Sequence, residues 1–290
     1  MRILIVMQSS VEKLYQDATN LLKDMYREII DRKHLPIDVI SYIGNSPQTY
    51  LGGDTLYIAC NNRNSIDKHR QLYKYIYDHK EYDVIIKTNV STVLNLELIC
   101  KYVTTSDFHR GDMHCAGVMW DNRVEGMIIV DGEPINYGNF PIGFFHMADR
   151  VVWDDIYEAY DHVTKIVIDD IQHNIYKDEL PNKHDVNDDM IMGALLVATR
   201  HTTLQMVNFI TMAPPEMEWC VQSNYGMDTF FSSMCTRCKL VTDSLNNTYM
   251  REIYEPFIMR LVWMLYSNHN TTFEDLHRTI IGMGSFDFLG

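Results

Sequence analysis

The chain has 290 residues, 46% of them hydrophobic and 22% charged, with a formal net charge of −14. That length and apolar content suit one large globular unit with a sizeable core, and exclude a disordered or low-complexity chain. The acidic balance argues against a broad nucleic-acid-binding face, because phosphate contacts lean on Lys and Arg.

Six cysteines are irregularly spaced, with Cys235 and Cys238 forming a C-x-x-C. A zinc site would call for a second such pair, so these read as reduced or buried thiols in an intracellular chain. The first nine residues are too short for a signal-peptide core. No run approaches the roughly 18 apolar residues of a membrane span.

Residues 2–7 are an apolar run that predicts a buried strand, stopped by Gln8, Ser9 and Ser10. Leu14, Ala18, Leu21, Leu22, Met25, Ile29 and Ile30 fall at helical spacing and predict a helix over 11–30. After Pro36, residues 37–43 read as a second strand, closed by Gly44, Asn45, Ser46 and Pro47. A third strand over 55–59 ends in Cys60, Asn61, Asn62, Arg63 and Asn64, and Ser65 caps a helix to residue 78. A fourth strand over 83–87 runs into a polar turn, followed by a helix over 93–103.

This βαββαβα order predicts an α/β chain with a Rossmann-like, mostly parallel central sheet flanked by helices. Ligands of such sheets lie beyond the carboxyl ends of the strands. Gln8, Ser9, Asn61, Arg63, Lys87, Thr88 and Asn89 thus become candidate ligand contacts by topology alone.

The second half is less regular. Residues 116–120, 126–130 and 165–168 read as strands, and 148–160 includes a helix. A further helix runs from 188 to 200, and 246–266 is largely helical with a kink near Pro256.

Three constellations could carry chemistry. In the first, Lys87 can neutralise phosphate while Thr88, Asn89 and Ser91 donate to ribose or phosphate oxygens; the same residues also suit a plain strand-to-helix turn. In the second, Gly143 permits close backbone approach, and Phe144 and Phe145 can pack on sugar rings, or simply form a tight turn. In the third, Asp188 and Asp189 open a helix whose dipole favours their charged form, as general bases or as ordinary caps.

Taken together and in this order, residues 2–212 resemble a glycosyltransferase of the GT-A fold, closest to the β-1,3-galactosyltransferase-like group. The likeness rests on Ile85-Ile86-Lys87-Thr88 at a strand end, the aromatic-Pro and Gly-aromatic pattern within 140–145, and Asp188-Asp189 followed by Gly193. It implies a nucleotide-sugar donor, a UDP-sugar, lying across the strand ends. Gln8, Ser9, Asn61 and Arg63 would face the base and ribose, with Lys87, Thr88, Asn89 and Ser91 nearer the diphosphate. A glycan or glycoprotein acceptor would meet Gly143, Phe144 and Phe145. Asp189 would deprotonate the acceptor hydroxyl, Asp188 would orient it, and transfer would proceed with inversion.

The resemblance divides one continuous domain into a nucleotide-binding half (1–105), an acceptor and catalytic half (106–212) and a C-terminal helical extension (213–290). It also implies Mn²⁺ or Mg²⁺ on an aspartate-rich triplet, but the matching positions are Asn89, Val90 and Ser91, without a carboxylate. The metal-ligand set read from the sequence is therefore empty, and Lys87 and Arg63 are the expected charge partners of the diphosphate. The missing carboxylates also admit a catalytically inactive GT-A-like domain that binds a glycan or a protein. No nucleic-acid partner is expected, and the expected location is the cytoplasm. A composition rich in Asn, Asp, Tyr and Met is compatible with a large DNA virus, which would make that the host cytoplasm.

Overall fold

The structure is a computed structural model that describes residues 1–60, 65–116, 126–130, 133–137, 144–160, 163–168, 171–174, 188–211, 231–238 and 248–268. Its centre is β1 (Ile3–Gln8), where the five residues from Ile3 to Met7 are wholly buried. A strand covered on both faces needs apolar residues at every position, which is why this segment is a continuous run rather than an alternation. Ile3, Ile5 and Met7 join one core cluster, and Leu4 and Val6 the other.

The helix α1 (Lys13–Lys33) covers the first face with Ala18, Leu22, Met25, Tyr26 and Ile29, a stripe at helical spacing. It stops at His34, which adopts the left-handed conformation (φ 52°) and donates its N–H to the Ile30 carbonyl. The chain then enters β2 (Ile37–Ile43) and a hairpin of β3 (Tyr50–Gly52) and β4 (Thr55–Tyr57). The opposite face is covered by α2 (Ser65–Asp78), α4 (Arg150–Ala159) and α5 (Asp188–Ala198), through residues such as Leu72, Tyr73, Trp153, Ile156 and Leu195.

Two further strands lead across the sheet: β5 (Val84–Asn89) and, after β6 (Thr92–Leu94) and α3 (Leu96–Tyr102), β7 (Met113–Ala116). With β10 (Phe145–Asp149) and β13 (Leu204–Met206), the eight-stranded order is β13-β7-β10-β5-β1-β2-β4-β3. Strands β5, β1, β2 and β4 pair in parallel, whereas β10 runs antiparallel to both β5 and β7. The sheet is thus mixed, with β13 parallel to β7 and β3 antiparallel to β4 at its two edges. The sequence reading leaves Phe145 in a candidate tight turn and includes Ala148 and Asp149 in a helical segment, whereas Phe145–Asp149 is a strand with all five residues buried. Asp149 both ends this strand and caps α4, its Oδ1 accepting from the Val152 N–H at 3.3 Å.

A second sheet, β12-β11-β8-β9, comprises β8 (Gly126–Val130), β9 (Glu133–Tyr137), β11 (Val163–Ile168) and β12 (Ile171–Asn174). A third, β14-β15-β6, joins β14 (Phe209–Thr211) and β15 (Cys235–Arg237) to β6. The helix α6 (Thr248–Ser267), which contains Pro256, lies in the segment expected as an extension. Its Met259, Val262, Trp263 and Tyr266 belong to the core on the α1 side, with the Trp263 ring 5.7 Å from that of Tyr26. Among the described residues, no helix is long and apolar enough to cross a membrane.

Tyr26 links these layers. Its buried hydroxyl donates to the Thr92 carbonyl (3.1 Å) and accepts from the Leu94 N–H (2.9 Å), and burial drives its pKa well above the usual value. Tyr26→Phe leaves both β6 groups without this partner in a dry environment. The expected loss is about 1–3 kcal/mol in urea unfolding, with the transition's slope unchanged. An unchanged midpoint would show that β6 finds other partners.

Candidate functional site

The chain leaves β1 towards β2 and later returns to β5 on the other side of β1, so the strand order reverses between β1 and β5. Open sheets form a crevice beyond the carboxyl ends at such a reversal. Gln8 and Asn89 are Cα partners there, and Gln8 also faces Tyr42. Topology thus brings two of the expected contacts side by side.

Ser9 follows at the mouth. Its N–H donates to the Tyr42 carbonyl at 3.0 Å, and its hydroxyl lies 2.7 Å from the Thr19 hydroxyl, which fixes the turn into α1. It also lines a cavity of about 410 Å³ with Gln16, Asn20, Asn45, Ser46 and Tyr57. That volume falls in the range of small-molecule sites, about 300–1,000 Å³. Asn45 holds a left-handed backbone (φ 73°), and Tyr50 stacks on Tyr57 with centroids 4.9 Å apart. These side chains present amide, hydroxyl and aromatic groups, the kinds that bind a base and ribose.

Lys87 lies one row deeper. Strand alternation puts it on the face of Ile85, towards α2, α4 and α5, whereas the cavity opens beside α1. It is buried and its Cα partners are Val6 and His146. Lys87 and the cavity are therefore not brought to one face.

The turn after β5 is tightly bonded. The Thr88 hydroxyl donates to the Phe144 carbonyl at 2.8 Å. Asn89 Oδ1 accepts from the Ser91 N–H (3.0 Å) and from the Thr92 hydroxyl (2.9 Å). The buried Ser91 hydroxyl donates to Glu255 Oε1 on α6, and its carbonyl accepts from the Cys238 N–H at 2.7 Å. Phe144 and Phe145 are both buried in the α1-side core, because β10 is an interior strand. Asn61, Arg63 and Gly143 lie outside the described residues.

Asp188 and Asp189 open α5, and Asp189 is half-buried. Asp189 acts electrostatically on Arg237, the last residue of β15, as does Glu255. Burial pushes the Arg237 guanidinium below its usual pKa, and these two carboxylates oppose that shift. The guanidinium lies over the Phe144 ring, 4.9 Å from its centroid. Arg237 and Glu255 were missed by sequence reasoning because they stand in a segment without a motif. The available signal was a charged residue between two cysteines that are both buried.

The implied divalent metal does not fit the turn. Mg²⁺ and Mn²⁺ prefer oxygen ligands, usually with a carboxylate. The Asn89 oxygen already accepts two bonds, Val90 is apolar and buried, and Ser91 donates to Glu255. Among the described residues, no group of three His, Cys, Asp or Glu side chains is placed to hold a metal ion.

No protein-family model matches the chain, and no curated protein matches it in sequence. Among solved structures it is similar to a glycosyltransferase involved in the glycosylation of the major capsid of PBCV-1. That likeness has 7% identity and a TM-score of 0.42, covering 90% of this chain and 100% of that one. It is also similar to the galactosyltransferase LgtC in complex with donor and acceptor sugar analogues, at 11% identity and a TM-score of 0.41, covering 94% of this chain and 98% of that one. Likenesses this distant assign neither a family nor a chemistry.

Proposed function

We propose that the chain is a GT-A-type glycosyltransferase that moves a sugar from a UDP-sugar to a hydroxyl of a glycan or glycoprotein acceptor, with inversion. What supports this reading is a polar cavity at the β1–β2 strand ends, together with the guanidinium of Arg237, which lies over the Phe144 ring and feels the charge of Asp189. A nucleotide sugar needs both parts: a pocket for base and ribose, and charged groups around the diphosphate and the reacting carbon.

In this mechanism the acceptor hydroxyl gives its proton to the Asp189 carboxylate as its oxygen attacks the anomeric carbon. The bond from that carbon to the diphosphate oxygen breaks on the opposite face, and the electron pair leaves with the nucleoside diphosphate. A single displacement of this kind inverts the anomeric configuration. A charged carboxylate at a helix N-terminus is stabilised in the form a base requires.

The test is incubation of the full chain with a panel of UDP-, GDP- and CMP-sugars, with and without acceptor glycans. The expected result is release of UDP that accelerates with an acceptor, and a product of inverted configuration by NMR. A chain that consumes none of the donors but binds glycans would be a binding domain instead, a reading favoured by the absence of a carboxylate at Asn89, Val90 and Ser91.

A further inference from the structure

We infer that Arg237 supplies, in place of a metal ion, the fixed positive charge that holds the diphosphate of the donor. This rests on the transferase reading and deepens it. The expected metal-binding positions have their oxygens committed to the turn and to Glu255, so the turn offers no cation site. A diphosphate bound at the strand ends still carries charge that something must neutralise.

The fold delivers Arg237 to that turn by two ties. Strand β15 pairs antiparallel with β6, with Arg237 opposite Thr92, and the next residue, Cys238, donates its N–H to the Ser91 carbonyl. The guanidinium then rests on the face of Phe144, whose own carbonyl accepts from Thr88 at the end of β5. A cation over an aromatic face is attracted by the ring, which holds the guanidinium at this place. A planar guanidinium edge matches two phosphate oxygens at once, which an ammonium does not.

Among the described residues, no ion pair closes on this guanidinium; Asp189 and Glu255 act on it through their fields. They oppose the effect of burial on the guanidinium, which stays charged in its half-buried place. A charged arginine over an aromatic ring, with no ion pair on it among the described residues and close to a turn at the strand-order reversal, is suited to an anionic ligand.

The experiment is calorimetric titration of the full chain with UDP and with uridine, each in EDTA and in Mn²⁺. The wild-type chain is expected to bind both without metal. In Arg237→Gln, UDP affinity should fall about ten- to a hundredfold, the range for a hydrogen bond to a charged group, with uridine affinity unchanged. Arg237→Lys should fall between the two. The uridine arm separates loss of phosphate binding from damage to the fold. UDP binding that requires Mn²⁺, unchanged UDP affinity in Arg237→Gln, or equal loss of UDP and uridine would each overturn the assignment and leave the transferase reading standing. If the wild-type chain binds another nucleoside diphosphate instead, the same arms are run with that nucleotide and its nucleoside. If it binds none of UDP, GDP, CDP and ADP, the transferase reading falls and the assignment with it.

Discussion

Asp189→Asn is expected to lower the turnover of nucleotide sugar by about 10²–10⁴-fold, the usual worth of positioned proton transfer. Asparagine keeps the size and the place of the side chain at the start of α5, so the helix end should be preserved. What it removes is the proton acceptor. It also removes one of the two negative fields on Arg237, the other coming from Glu255. Nucleotide affinity should accordingly stay level or rise slightly, because a diphosphate then meets less negative charge. The check is to measure kcat under saturating donor and UDP affinity by calorimetry on the same preparation. Equal loss of both would assign Asp189 to structure. Asp188→Asn, measured beside it, should have the smaller effect on kcat, since Asp188 is expected to orient rather than to accept the proton.

The elements that were legible in the sequence are those marked by local pattern: an apolar run, a helical spacing or a turn signal. Residues 37–43 and 126–130 are strands with the bounds expected, and α5 begins at Asp188 as expected. Strand β10 was not legible, because an interior strand of five residues that contains His146 and ends in a helix-capping Asp149 shows neither alternation nor a long apolar run. Strand β6 was read into the following helix: Val93 and Leu94 are apolar whichever structure they adopt, and their partner Cys235–Arg237 lies far along the chain. The same distance hid the candidate site's second half. Gln8 and Asn89 could be named because a strand end follows from local pattern. Arg237 and Glu255 reach that point only through the β15–β6 pairing and the packing of α6. Lys87 was placed correctly along β5, but local pattern does not tell which face of the sheet a ligand uses, and the two faces alternate residue by residue.

Trp153→Ala is expected to destabilise the fold by about 3–5 kcal/mol, the range for removing a large buried aromatic side chain. The Trp153 side chain is wholly buried between α4 and β5, its indole N–H donates to the Ile85 carbonyl at 3.2 Å, and its ring lies 5.6 Å from that of Tyr73. Truncation leaves a cavity against the strand that runs on to Lys87 and Asn89, and removes the indole bond to Ile85. Close packing gives the surroundings little room to collapse into the space. Urea unfolding measures the loss directly, and a change below about 1 kcal/mol would mean that α4 re-seats on the sheet at little cost. Trp153→Phe, which keeps a ring but loses the N–H, should lose less, so the pair apportions packing and hydrogen bonding. Because this ring lies on the face of Ile85 while the cavity opens beside α1, UDP affinity measured where the variant is still folded should be unchanged. A joint loss of stability and affinity would mean instead that the two faces are coupled through β5, the strand they share.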